Sequence, residues 1–150
     1  MIDGELKRFL EGGYVCTVAT RDANLRPDWG HGVGVRVLGS RAVVYLCTHT
    51  SGRSIANIRD NGQLALVICE PMTHRTIQLK GSAVATRALD SADQAFAATL
   101  AQMARESIVV VGIAPHLAAR WNFDDLLAIE FEVTGVFEAT PGPKAGKAVA

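Results

Sequence analysis

Short apolar runs alternate with turn-forming residues along most of the chain. The runs are rich in β-branched and aromatic residues, whereas Gly, Pro, Asn and Asp gather between them. They predict five or six strands, at residues 14–20, 28–37, 42–48, 64–69, 76–86 and 127–133. The last run alternates most clearly, and its inward set is Leu127, Ile129, Phe131 and Val133. Residues 64–69 are continuously apolar, which predicts a strand buried on both faces.

Two short helices are predicted among the first strands. Asp3 can cap the first helix, which precedes residues 14–20. Ser51 or Ser54 can cap the second helix, and Asn61-Gly62 can end it, because Gly and Asn accept the left-handed backbone of a helix C-terminus.

Two further helices are predicted before the last strand. Ser91 and Gln94 form a capping box that opens the third helix, whose inward stripe is Phe96, Leu100 and Met103. Pro115 suits the first turn of a fourth helix that includes His116 and Trp121.

Strands at such short intervals, with only short helices between most of them, argue against a doubly wound parallel sheet. An antiparallel barrel hides its sheet edges, so the pattern predicts a mainly β fold. We expect one domain over residues 1–140 and an irregular tail over residues 141–150, which lacks core residues.

The composition narrows the class of protein. Apolar residues make up 49% and charged residues 20%, as in globular domains. The formal net charge is zero, which gives no indication of a nucleic-acid partner. The N-terminus carries no apolar signal core and no segment is long enough to cross a bilayer, so no membrane association is expected.

Three cysteines, Cys16, Cys47 and Cys69, each fall inside a strand-like run. Buried free thiols are typical of a reducing compartment, and we expect a cytoplasmic protein. The cysteines and the four histidines lack the paired spacing of structural zinc ligands, so no metal site is predicted.

A series of short motifs follows the predicted elements in order. Residues 15–20 lead to Arg26-Pro27, and residues 43–48 lead to Ser51-Gly52-Arg53; Arg75 then opens the motif at residues 75–81. This ordered series resembles the pyridoxamine-phosphate-oxidase-like family over residues 3–86, with a looser match to the last strand. The resemblance implies an antiparallel split β-barrel with short helices, and a homodimer that binds FMN in a groove between its subunits.

The resemblance places the cofactor phosphate on the loop that enters the second helix. The family's strand-end Thr corresponds to Thr48 and its Arg to Arg53, with Ser51 and Ser54 on either side. Physical chemistry favours the same assignment, because a helix start offers free N–H groups and positive potential, and a guanidinium suits phosphate oxygens. The alternative interpretation is ordinary helix capping beside a solvated Arg.

The resemblance also implies a basic pair, five residues apart, on the second strand. His31 and Arg36 keep this spacing one residue earlier than an ungapped register. A hairpin shorter by one residue would bring them into place, whereas otherwise they point to the opposite face. They could instead be solvent-facing strand residues.

Further cofactor contacts are expected on two other strands. The backbone around Tyr45 is expected to meet the flavin ring, and Arg75 and Thr76 correspond to the family's Arg-Gln, with Gln78 beyond them. The last three could equally be the polar face of a half-exposed strand. Trp121 is predicted as a core residue, with stacking on the flavin as the alternative.

The predicted function is that of an FMN-dependent oxidoreductase acting on an unidentified small molecule. The flavin itself carries hydride and electrons, so few protein groups are needed, and none is singled out as a catalytic acid or base. Two alternatives remain: the same fold holding F420 or haem, or a dimeric flavin-binding or sensor protein without catalysis. Pyridoxamine phosphate is a less favoured substrate, because the chain is short and lacks a clear match to the oxidases' C-terminal substrate-binding residues.

Overall fold

Six antiparallel strands close into a barrel in the computed structural model of the chain, which describes residues 2–149. The strands are β1 Cys16–Arg21, β2 Pro27–Leu38, β3 Arg41–Cys47, β4 Gln63–Cys69, β5 Thr76–Arg87 and β6 Leu126–Glu138. Their order around the barrel is β1-β2-β3-β6-β5-β4, and β4 pairs back to β1. The predicted antiparallel split barrel is confirmed. Met1 and Ala150, the ends of the predicted domain and tail, lie outside the described residues.

Apolar side chains of all six strands fill the barrel. Val18, Val35, Val44, Leu66 and Leu79 are fully buried in one continuous core. The inward set predicted for the last strand is confirmed: Ile129 and Phe131 are fully buried, and Leu127 and Val133 pack against the same core. Alternation in the sequence of β6 therefore set which face of that strand points inward.

In the described part of the chain, four helices connect or cover the strands: α1 Gly4–Leu10, α2 Thr48–Asn61, α3 Ser91–Val110 and α4 Pro115–Ala118. Asp3 caps α1 as predicted, since its carboxylate accepts a hydrogen bond of 2.8 Å from the N–H of Leu6. Within residues 2–149, no helix is both long and apolar enough to span a membrane.

The third helix starts one residue earlier than its predicted cap requires. Asp90 is the cap, with extended backbone, and it forms a capping box with Asp93. The prediction of Ser91 and Gln94 as the box was wrong, because the carboxylate of Asp90 reaches the N–H of Asp93 at 2.8 Å and leaves Ser91 as the first helical residue.

The layer that α3 forms covers one outer face of the barrel. Its small and apolar residues pack on Val33 of β2 and on Val43 and Tyr45 of β3. Leu100 of the predicted stripe is buried, whereas Phe96 and Met103 are half-buried, and the inward positions are completed by Ala97, Ala101, Ala104 and Ile108.

The outer face of β4 lies away from this layer. Leu64, Leu66 and Ile68 point into the core, while Ala65 and Val67 on the outer face are only half-buried. The prediction that this strand is buried on both faces was therefore wrong for the single chain, since α3 packs on β2 and β3 instead.

Residues 141–149 return along the end of β6. The N–H of Glu138 donates to the carbonyl of Lys147, and the N–H of Val149 donates to the carbonyl of Val136, both at 2.9 Å. A single bridge between Phe137 and Ala148 is the regular pairing in this stretch. These bonds use backbone groups of β6 beyond the end of its pairing with β3.

Candidate functional site

The start of α2 packs directly on β2, and Gly30 makes this approach possible. A Cβ atom on Gly30 would lie 2.4 Å from Oγ of Ser51, closer than real contacts allow. Ser51 interrupts the helical backbone (φ −125°, ψ 18°), and its hydroxyl donates to the carbonyl of His31 at 3.5 Å. The kink at Ser51 divides α2 into a first turn and a longer segment, but the hydroxyls of Ser51 and Ser54 bond to β2, so neither makes the predicted capping bond.

A line of polar contacts continues along the buried side of α2. The hydroxyl of Ser54 donates to Oδ2 of Asp28 at 2.6 Å, and the amide of Asn57 donates to the hydroxyl of Thr20 at 3.1 Å. Ser51 and Ser54 are both buried. Their hydroxyls, which were expected to bind phosphate, are thus turned toward β2 and away from the surface.

Two other predicted phosphate ligands lie nearer the surface of α2. Arg53 is exposed and makes no hydrogen bond or ion pair with any residue between 2 and 149. Gly52 beside it faces open space. Thr48 is partly exposed, and its hydroxyl is hydrogen-bonded to the carboxylate of Asp125. Arg53 is therefore an exposed cation on α2 without a side-chain partner among residues 2–149.

A groove of about 410 Å³ opens beside the first turn of α2. We call it the α2 groove; its lining residues are Val15, His31, Cys47, His49, Thr50, Arg120, Trp121, Asn122 and Phe123. The rings of Trp121 and Phe123 meet edge to face, with centroids 6.2 Å apart. The groove thus combines aromatic walls with two imidazoles and one guanidinium, a set that suits a flat aromatic ligand carrying an acidic group.

Trp121 was predicted to anchor the core, and this was wrong. The residue lies beyond α4, and 38% of its surface is exposed. On β2, Trp29 is 58% exposed, and its ring packs edge to face against the ring of His31, with the centroids 4.7 Å apart. Two exposed indoles near one groove are the kind of surface that binding sites use.

The thiols near the α2 groove are not reactive ones. Burial, and then the nearby charge of Asp125, raises the pKa of Cys47 to about 11. Burial raises the pKa of Cys16 to about 12. Both thiols therefore stay protonated near neutral pH, and neither is a thiolate nucleophile. Within the described part of the chain, no group of three or more His, Cys, Asp or Glu side chains is placed to hold a metal ion.

With this geometry in place, comparison with known proteins fixes the family. The family model described as pyridoxamine 5'-phosphate oxidase matches residues 2–138. The chain belongs to this family. No curated protein sequence matches the chain.

Solved structures of the pyridoxamine 5'-phosphate oxidase fold resemble the chain at low identity. An FMN-binding protein from Syntrophomonas wolfei is 10% identical, with 87% of this chain and 81% of that chain covered and a TM-score of 0.58. A protein described as an F420 reductase is 16% identical, with 87% and 94% covered and a TM-score of 0.56. The heme storage protein HutZ from Vibrio cholerae is 16% identical, with 91% and 94% covered and a TM-score of 0.53. At such identities the likeness shows the fold alone.

The basic pair expected from the family is separated by the fold. A register shift between Gly32 and Val35 inserts an extra residue into β2, so His31 and Arg36 both lie on the outer surface of the barrel. His31 lines the α2 groove, whereas Arg36 lies 3.9 Å from Oδ1 of Asp93 and 5.4 Å from the ring of Phe96. Arg36 therefore faces α3.

Tyr45 is also placed with α3. Its side chain is fully buried beneath that helix, and its hydroxyl donates to Oδ1 of Asp93 at 2.9 Å. Cys47, two residues after Tyr45 at the end of β3, lines the α2 groove.

The remaining family positions lie at the start of β5. Arg75 stacks over the ring of Phe9 at 4.6 Å and pairs with Glu5 at 3.5 Å, so it packs on α1. Thr76 donates its hydroxyl to the carbonyl of His74 at 2.9 Å, and Gln78 is half-buried on β5. None of the three lines the α2 groove of a single chain.

Sequence reasoning missed several groove residues, notably His49, Thr50 and Arg120. His49 and Thr50 directly follow Thr48, so their position next to a predicted ligand was a usable signal. Arg120 and Phe123 come from a loop far along the chain, and no local pattern brings that loop to α2.

Proposed function

We propose that this chain is a flavoprotein that binds FMN along the α2 groove and acts as an oxidoreductase on a small molecule. One observation carries the proposal: the aromatic groove lies at the start of α2, the helix that carries the unpaired Arg53. Family membership and the FMN-binding neighbour support the same cofactor.

The residues present fit FMN at both of its ends. Arg53 supplies a planar donor fork for the phosphate. Trp121 and Phe123 supply aromatic surface for the isoalloxazine ring, and His31 supplies a hydrogen-bonding group at the wall.

FMN would bring hydride and electron transfer to this site. The protein's own task is to bind the phosphate, hold the ring against the aromatic wall and keep water from its covered face. The thiols of Cys16 and Cys47 stay protonated, so they take no part as nucleophiles.

A homodimer is part of the proposal. The outer face of β4 carries the half-buried apolar residues Ala65 and Val67, and Trp29 is exposed on the outer face of β2. Because isolated soluble chains rarely leave such surface open, a second copy is the occupant we propose. Arg75, Thr76 and Gln78 would then contribute from the partner's side of the groove.

Haem is a second candidate, because two imidazoles line the groove. His31 and His49 could ligate iron, and Arg120 could pair with a propionate. The relative described as a heme storage protein shares the fold.

Absorbance after separate addition of FMN, F420 and haemin, followed by gel filtration, tests these candidates. Retention of about one flavin per subunit, and its bleaching by a small-molecule substrate or by NADPH, is the result expected for an FMN oxidoreductase. Retained FMN that no reductant or substrate turns over would indicate a flavin-binding sensor. Retention of F420 or haemin alone would replace FMN as the cofactor, and a monomer in light scattering would remove the two-subunit site.

A further inference from the structure

The carboxylate of Asp125 lies at the first residue of α2, the place where the phosphate of a ligand would be expected to bind. Its carboxylate is hydrogen-bonded to the hydroxyl of Thr48, and its carbonyl accepts a bond of 2.9 Å from the N–H of Thr48. The residue immediately precedes β6 and is exposed, so its charge faces the solvent beside the groove. Two hydrogen bonds between Thr48 and Asp125 therefore hold the start of β6 against the first residue of α2.

This arrangement has two consequences for a phosphate. A hydroxyl has one proton to donate, and Thr48 gives it to Asp125, so that proton is not offered to a ligand. The carboxylate of Asp125 also places a negative charge beside this first turn, and that charge repels a phosphate. The charge of Asp125 is felt within the groove, because it also raises the pKa of the lining thiol of Cys47, after burial.

We infer that Asp125 is a specificity-determining residue that weakens the phosphate end of the α2 groove, so that FMN binds exchangeably and little more tightly than riboflavin. The inference rests on the proposed function and adds to it. Arg53 attracts the phosphate and Asp125 repels it, so the two effects largely offset each other. Contacts with the isoalloxazine ring then provide most of the binding energy, and bound flavin exchanges with free flavin in solution.

The test compares FMN with riboflavin, because the two ligands share a ring and differ by the phosphate. Dissociation constants for both are measured by flavin fluorescence with the full chain and with two variants, Asp125→Asn and Asp124→Asn. Asp124 is the matched control, because it is exposed, adjacent in sequence and not hydrogen-bonded to Thr48. Thermal melting checks that each variant is folded.

In the unaltered protein, FMN is expected to bind no more than about five-fold more tightly than riboflavin, a result that needs no variant. Asp125→Asn should tighten FMN by about ten-fold, because a like charge beside the phosphate is removed, while riboflavin changes less than about two-fold. Asp124→Asn should leave the ratio near that of the unaltered protein.

An unaltered protein that prefers FMN by a hundred-fold, or an Asp125→Asn variant with an unchanged ratio, would overturn the inference alone and leave a flavin site standing. Failure of every form to bind either flavin would overturn the proposed function and this inference together.

Discussion

The phenol of Tyr45 donates a hydrogen bond of 2.9 Å to Oδ1 of Asp93, joining β3 to the first turn of α3. Arg87 of β5 donates to the other oxygen of this buried carboxylate, and Arg36 of β2 lies 3.9 Å from the first. One carboxylate therefore ties α3 to three strands of the barrel. Arg36, which was expected to bind the cofactor, and the phenol of Tyr45, whose backbone was expected to meet the flavin ring, both attach α3 here.

Replacing Asp93 by Ala should destabilise the protein by about 2–4 kcal/mol, because Tyr45 and Arg87 lose a buried charged partner. The free energy of unfolding, measured by urea denaturation, checks this. Ser91→Ala is the control, since Ser91 is exposed in the same helical turn, and a change within about 0.5 kcal/mol is expected. An equal decrease in unfolding free energy for the two variants would show that Asp93 does not anchor α3.

The same carboxylate should make stability depend on acid pH. Burial by itself raises the pKa of Asp93, but hydrogen bonds from Arg87 and Tyr45 outweigh it and hold this pKa below its usual value. A depressed pKa in the folded state stabilises the protein above the unfolded pKa, and this contribution is lost as pH falls through the folded value. The difference in unfolding free energy between the unaltered protein and Asp93→Asn should therefore shrink below about pH 4. A constant difference from pH 7 to pH 3 would contradict the assignment.

Gly30 should be intolerant of a side chain, because its added Cβ would lie 2.4 Å from Oγ of Ser51. Gly30→Ala should cost about 1–3 kcal/mol by pushing α2 away from β2. Gly52→Ala is the matched control, as nothing lies within 4 Å of its added Cβ. That variant should be neutral or stabilise α2 by up to about 1 kcal/mol. Similar thermal melting curves for both variants would argue against close packing at Gly30.

Ser54 should matter for stability rather than for flavin. Its buried hydroxyl donates to Asp28 at 2.6 Å, so Ser54→Ala should lower the free energy of unfolding by about 1–2 kcal/mol. The FMN dissociation constant should stay within about three-fold of the unaltered protein, since a buried oxygen cannot reach the ligand. A ten-fold weaker FMN complex would show instead that Ser54 turns toward the phosphate.

The barrel was predictable because its signals are local. Alternation at residues 127–133 fixed which side chains of β6 face inward. The polar turn that ends at Arg26-Pro27 separates β1 from β2. Tertiary contacts decided the rest. The outward residue Val67 of β4 is apolar like its inward neighbours, so the sequence alone could not show that α3 leaves it uncovered.

The candidate site was less predictable for the same reason. Whether a hydroxyl of α2 faces solvent or β2 depends on Gly30, which lies 21 residues before Ser51. Arg36 was assigned to the cofactor from its strand position, yet its guanidinium lies 3.9 Å from Asp93, which is 57 residues further along the chain. The exposure of Arg53 agrees with the sequence, because a solvated cation on a helix needs no distant partner to stay exposed.

The most direct test of the proposed cofactor site is the FMN dissociation constant of Arg53→Ala beside that of Arg36→Ala. Both variants remove one guanidinium, but Arg53 is unpaired on the helix whose first residues line the groove, and Arg36 faces Asp93. Arg53→Ala should weaken FMN by about ten-fold, the effect of one charge-assisted hydrogen bond, while Arg36→Ala stays within about three-fold. An Arg53→Ala variant that binds FMN as the unaltered protein does would contradict a phosphate site at the start of α2.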